Sequence, residues 1–227
     1  MEPILIIGAS RGIGQALAQK LLAAGRTVIT MGRTQPAAGT AEHITWDAVD
    51  GPFPVERLPP ALAGLVYCPG SIDLKPLRST RLDELRASYE LNALGAFAAV
   101  QGCVERLKKV PTSSVVLFST VAVQRGMPFH SSVAMAKGAV EGLTRALAAE
   151  LAPTVRVNCI APSLTRTDLA EKLIATPERE KSSADRHPMK RIGEVGDIAA
   201  MAAFLLSDEA SWMTGQVIGV DGGMSAI

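Results

Sequence analysis

The sequence predicts a single α/β domain over residues 1–227, doubly wound, with a parallel seven-stranded sheet flanked by helices. Three observations carry that expectation. Short apolar runs alternate with stretches of helical period along the whole chain, which implies parallel strands joined by right-handed crossovers. The first run is continuously apolar, as in strands covered on both faces. A glycine-rich turn follows it at once and opens a helix, a junction suited to an anionic ligand.

The first strand is Ile4 to Ile7. Ile13 to Ala24 has helical spacing, with Ile13, Leu17, Leu21 and Leu22 on one side, and Gly25 stops it. Strands follow at Thr27 to Met31, Ile44 to Trp46 and Leu65 to Tyr67. The link from Arg33 to Glu42 holds Pro36 and Gly39 without helical period, so no full helix is expected there. Thr80 to Lys109 reads as one long helix carrying Leu85, Leu91, Phe97 and Val104. A strand at Ser114 to Phe118, a helix at Ser131 to Leu151 and a strand at Val155 to Ile160 come next. Ser163 to Ile192 is long, polar and charged, with little hydrophobic period after Ile174. It reads as an irregular lid, about 164–192, beside a ligand site. A helix at Val195 to Leu206 and a strand at Val217 to Val220 close the domain.

Composition narrows the function. Hydrophobic residues make up 48% and aromatics only 4%, enough for a large aliphatic core. Lys and Arg number 23 against 22 Asp and Glu, so no basic surplus points to nucleic acid or an anionic membrane. The three cysteines, Cys68, Cys103 and Cys159, form no C-x-x-C pair, so no disulfide framework and no metal site is expected. No apolar run approaches the ~18 residues of a membrane span, and the first residues read as a strand, not a signal peptide. A cytoplasmic protein is expected.

The turn IIGASRGIG sets Gly8, Gly12 and Gly14 between strand and helix. Glycine permits positive φ and close backbone approach, and the helix N-terminus offers free N–H groups to a pyrophosphate. The spacing is G-x-x-x-G-x-G, not the G-x-G-x-x-G of the dinucleotide fingerprint. A tight turn alone would also explain it, but its place at the first strand of a βαβ pattern favours a dinucleotide. At the end of the second strand, where an acid would bind a ribose 2′-hydroxyl, stands Arg33, with Arg11 inside the glycine turn. Two guanidinium groups suit a 2′-phosphate, so NADP(H) is the expected cofactor.

Taken together, these residues resemble the short-chain dehydrogenase/reductase family and its Rossmann-type fold across essentially the whole chain. IGASRGIG is similar to that family's TGxxxGIG turn, with Ile7 for Thr. WDAVD resembles the strand-three acid and makes Asp47 an adenine contact. VYCPG stands for an NNAG-like run, keeping Gly70. ELNALGAF carries over the active-site asparagine to Asn92. VRVNCIAPSLTRTD keeps Pro162 and Thr167 of the P-G-x-x-x-T turn, with Ser163 for Gly, and MTGQVIGVDGG is very like the C-terminal strand. The resemblance implies a cofactor site of Gly8, Ser10, Arg11, Gly12, Ile13, Gly14, Arg33, Asp47, Gly70, Lys137, Pro162, Thr165 and Thr167.

The family's chemistry implies a Ser, a Tyr and a Lys, the last two as Y-x-x-x-K. Here the lysine is Lys137, but the Tyr position holds Val133, which has no proton to give. The Ser position falls on Thr120, beside Ser119. The chain is thus a variant lacking that tyrosine. Its other protic candidates are His130, three residues before Val133, Tyr67 at the end of the fourth strand, and Tyr89 one turn before Asn92. Bland readings make His130 a helix-start residue, Tyr67 a core or adenosine-side residue, and Tyr89 core. The catalytic set is Lys137, Thr120, Asn92 and His130.

Two functions remain open. One is an NADP(H)-dependent oxidoreductase moving a hydride to or from a small carbonyl or conjugated-enoyl substrate, with an altered proton donor. The other is a weak or inactive NADP(H)-binding sensor or structural subunit. The two long helices carry more apolar surface than one sheet face covers, and in relatives they pack between subunits, so a homodimer or homotetramer is expected.

Overall fold

The computed structural model describes residues 2–36 and 39–227. Seven parallel strands form one sheet: β1 (Ile4–Ile7), β2 (Val28–Gly32), β3 (Glu42–Thr45), β4 (Gly64–Tyr67), β5 (Ser113–Phe118), β6 (Val155–Pro162) and β7 (Val217–Val220). Their spatial order is β3-β2-β1-β4-β5-β6-β7. The chain winds outward from β1 to β3, then returns to lay β4 on the other side of β1, with Ile4 opposite both Val28 and Gly64. The switch point therefore lies between β1 and β4, and a ligand crevice opens at their carboxyl ends.

The strands read as continuous apolar runs because each side is covered. Leu5 and Ile7 face a cluster with Val100, Cys103 and Val140, while Ile4 and Ile6 face one with Leu17, Ile198 and Leu205. The first layer is built by α2 (Leu82–Tyr89), α3 (Gly95–Leu107) and α5 (Ser131–Leu151), the second by α1 (Gly12–Ala23) and α7 (Val195–Leu206). A short α4 (Ala122–Arg125) and α6 (Pro177–Asp185) complete the helices. Residues 33–36 and 39–41 contain no helix, as the Pro36 and Gly39 reading expects; Ala37 and Ala38 fall outside the described residues.

The long helix expected from Thr80 to Lys109 is corrected in two ways. It begins at Leu82, and residues Glu90–Leu94 widen into a π turn between α2 and α3. Such a turn shifts the i→i+4 ladder and marks functional sites. Tyr67 Oη donates to the Leu91 carbonyl at 2.5 Å, and Asn92 Nδ2 donates to the Ser88 carbonyl at 2.8 Å. Gly95 leaves room for the phenol, since a Cβ there would stand 2.2 Å from Tyr67 Oη. Tyr89, expected in the core, is 41% exposed.

Residues 163–192 are not an irregular stretch. They hold a 3₁₀ helix at Asp168–Leu173 and then α6. Thr176 Oγ1 caps α6 by accepting from Arg179 N, and Pro177 occupies its first turn. Arg166 ties the segment together, with Nη2 2.6 Å from Glu180 and Nε 3.1 Å from Glu194. Only Ser183 of α6 is buried, so the helix shows no apolar period.

Candidate active site

A cavity of about 510 Å³ opens at the carboxyl ends of β4, β5 and β6, under the segment that carries α6. The glycine turn lies beside it, with Ile13 in the cavity lining. Gly8 and Gly12 adopt φ of +83° and +57°, which only glycine takes readily. Gly14 is required by packing: a Cβ there would stand 2.3 Å from the Gly8 carbonyl oxygen, so α1 can meet β1 only without a side chain. The first turn of α1 thus presents its N–H groups at the switch point, with Ser10 and Ile13 beside it.

Arg33 follows β2 and is largely exposed, its Nη1 4.0 Å from Asp47 just beyond β3. Arg11 is equally exposed, 3.9 Å from Asp168. Exposed pairs at this distance hold their partners by less than about 1 kcal/mol, so both guanidiniums are free to turn toward an incoming phosphate.

Lys137 lies on the sheet side of α5, 8% exposed, with no hydrogen bond or ion pair among the described residues. Burial pulls its ammonium down from 10.5 to about 8; the neighbouring thiols of Cys159 and Cys68 oppose that shift. Gly70 faces it. A Cβ at Gly70 would stand 3.4 Å from Lys137 Nζ and 3.1 Å from Asn92 Oδ1, so amine and amide oxygen converge on one point. Asn92 Oδ1 is itself buried without a partner. A buried acceptor and a buried cation left unsatisfied are costly, and a ligand bearing hydroxyl groups would satisfy both.

One turn before Lys137, Val133 is 5% exposed and lines the cavity with an isopropyl group. At the end of β5, Ser119 Oγ donates to the buried Glu141 carboxylate at 2.7 Å, so its proton is committed. Thr120 Oγ1 only accepts, from Ala122 N at 3.3 Å, and its own proton remains available to the cavity. His130 stands at the N-cap position of α5 without a side-chain cap bond, its Nδ1 2.7 Å from the Pro128 carbonyl, at the cavity wall. Pro162, Thr165 and Thr167 line the far side. Tyr67 serves the fold: it is 2% exposed, tied to Leu91, and burial with the nearby Asp47 carboxylate holds its phenol well above its ordinary value.

Sequence reasoning missed one pair. Ser163 Oγ and His187 Nε2 stand 2.8 Å apart on the cavity wall. His187 is 2% exposed, and its Nδ1 lies 2.8 Å from the Ser183 carbonyl. The departure of Ser163 from glycine was legible; that it meets a histidine 24 residues later depends on how α6 folds back.

Comparison with known proteins places the chain in a family. A family model described as enoyl-(acyl carrier protein) reductase matches residues 55–225. L-xylulose reductase of Bos taurus is 31% identical over 242 aligned positions, covering 98% of this chain and 96% of that protein. Aldohexose dehydrogenase of Thermoplasma acidophilum, solved without ligand, superimposes with a TM-score of 0.92 at 28% identity, over 100% of this chain and 94% of that one. Gluconate 5-dehydrogenase of Burkholderia cenocepacia, solved with NADP and tartrate, gives 0.91 at 26% identity, over 100% and 96%. The chain belongs to the short-chain dehydrogenase/reductase family. Its class is that of an oxidoreductase, and the family works with nicotinamide cofactors. No helix among the described residues is long and apolar enough to cross a membrane.

Proposed function

We propose that this chain is an NADP(H)-dependent oxidoreductase acting on a small carbonyl or conjugated-enoyl substrate. The observation that carries the reading is the convergence of Lys137 Nζ and the orphaned Asn92 Oδ1 beside Gly70, at the mouth of the glycine turn. Lys137 would hold the nicotinamide ribose hydroxyls, Arg33 and Arg11 the 2′-phosphate, and Asp47 the adenine. Ser10, Gly12 and Ile13 would meet the pyrophosphate at the helix N-terminus, and Thr165 and Thr167 the nicotinamide side. When bound, NADPH supplies a hydride to the substrate's electrophilic carbon. The chain's own part is to hold the oxygen that gains negative charge. Thr120 Oγ has its proton free for that oxygen, and the Lys137 ammonium raises the local positive potential. The cavity wall is mainly apolar, with Ile72, Leu74, Met127 and Leu169 among its lining, which suits a substrate of apolar body.

The alternative, an NADP(H)-binding sensor or structural subunit, is favoured by Val133 alone. Fluorescence titration with NADPH, followed by oxidation against carbonyl and enoyl thioester panels, separates the two: binding with turnover supports the enzyme, binding without it the sensor. Failure to bind NADPH refutes both. We also propose a homodimer or homotetramer through α2, α3 and α5, where Leu82, Leu94, Phe97 and Met135 are each more than two-fifths exposed. A sedimentation mass equal to one 23.8 kDa chain refutes it.

A further inference from the structure

We infer that Ser163 and His187 form the proton relay that replaces the missing tyrosine. The inference rests on the oxidoreductase reading above. Three observations support it. First, the two departures from the family pattern, Val133 for Tyr and Ser163 for Gly, line one cavity with Thr120 and Lys137. Second, strand pairing places Ser163 beside the catalytic end of β5: Ser119 N donates to the Ile160 carbonyl at 2.7 Å and Val121 N to the Pro162 carbonyl at 3.1 Å, so residues 120 and 163 follow adjacent rungs. Third, the histidine is oriented for one task. A carbonyl only accepts, so the 2.8 Å contact with Ser183 fixes the proton on His187 Nδ1. In neutral imidazole Nε2 is then an acceptor, and Ser163 Oγ donates to it. A base aimed at a hydroxyl, with its far nitrogen anchored, is the arrangement general acid–base catalysis needs.

The proton count balances in both directions. In alcohol oxidation the substrate O–H bond breaks and its proton passes to Ser163 Oγ, as the Ser163 proton passes to His187 Nε2. The two electrons leave the carbon with the hydride that the oxidised cofactor accepts. In reduction the imidazolium gives its Nε2 proton to Ser163 Oγ, and the Ser163 proton goes to the oxygen left negative by hydride addition. With neutral imidazole the pair is set for oxidation, and with imidazolium for reduction.

The test uses the full chain, NADPH and benzil, an apolar diketone whose reduction leaves an alkoxide in need of a proton. Ser163→Ala is expected to lower kcat by about 100-fold while leaving the NADPH Kd and the benzil KM within about twofold. Ser163→Thr, which keeps the hydroxyl, should recover most of the rate, and His187→Gln should match the alanine variant. A kcat for Ser163→Ala within about threefold of wild type overturns the relay, whereas wild-type protein that binds NADPH but leaves benzil unreduced counts first against the oxidoreductase reading and takes the relay with it. Absence of NADPH binding likewise refutes the oxidoreductase reading on which the relay depends.

Discussion

Lys137→Met offers the sharpest test of the site's electrostatics. The ammonium is buried without a counter-charge, and its pKa falls from 10.5 to about 8. A lysine with a depressed folded-state pKa opposes folding wherever it is charged. Below pH 8 both states carry the proton and the full penalty applies, roughly 3 kcal/mol by the size of the shift. Between pH 8 and 10.5 the unfolded chain keeps a proton that the folded chain has lost, so this residue's contribution to stability rises with pH. Three thiols act in the other direction above pH 9, since Cys68, Cys103 and Cys159 are each raised from 9.0 to about 12 by desolvation. The quantity to read is therefore the difference between wild type and variant. Urea unfolding of cofactor-free protein at pH 7 should show Lys137→Met more stable by up to about 3 kcal/mol, a midpoint shift of up to about 1 M. That advantage should shrink steadily toward pH 10. A variant less stable than wild type at pH 7, or an advantage independent of pH, refutes the unpartnered cation. The same shift predicts that NADPH affinity declines above pH 8, because a bound ribose stabilises the charged amine.

Arg33→Asp should weaken NADPH binding by about tenfold or more and NADH binding far less, as titration with both cofactors will show; equal losses refute a 2′-phosphate contact. Val133→Tyr should create or raise carbonyl reductase activity, since the new phenol stands one turn from Lys137; no gain with NADPH still bound means the pocket does not present a carbonyl there. Gly14→Ala drives a methyl against the Gly8 carbonyl, 2.3 Å from an ideal Cβ, and should cost about 1–3 kcal/mol or more in thermal or urea unfolding. An unchanged midpoint would show that α1 can shift away from β1.

The sheet was legible because buried parallel strands leave uninterrupted apolar runs, and all seven lie within a few residues of their expected positions. The glycine turn was legible as spacing, and Lys137, Thr120 and Asn92 only through the family resemblance; Lys137 and Thr120 line one cavity, and Asn92 Oδ1 meets Lys137 at Gly70. What escaped has physical causes. Helix α6 packs by one buried serine, so it has no period to read; its Thr176-Pro177 start was the available signal. The π turn at Glu90–Leu94 is met by the Tyr67 hydroxyl reaching across from β4 to the Leu91 carbonyl, a contact no local pattern encodes. Tyr89 lies one turn from Asn92 in sequence, yet the widened turn leaves it exposed. The Ser163–His187 pair joins the end of β6 to the exit of α6 and required both to be placed.

Loss of the tyrosine does not by itself separate an enzyme from a binding protein. The polar groups left around the gap bear on that question. In the proposed reading, holding a ribose falls to Lys137, and holding phosphates to the glycine turn and Arg33. Neither task needs a hydroxyl at Thr120 whose proton is uncommitted, nor a buried histidine whose acceptor nitrogen is aimed at a second hydroxyl in the same cavity. Burying the His187 imidazole removes it from water, a loss that its contacts with Ser163 and Ser183 offset only in part. A cavity that served only to retain a dinucleotide would be as well lined by valine at 163 as it is at 133. Two hydroxyls and an oriented base beside a buried cation are instead the groups required to move a proton as a hydride moves, and they favour the enzyme.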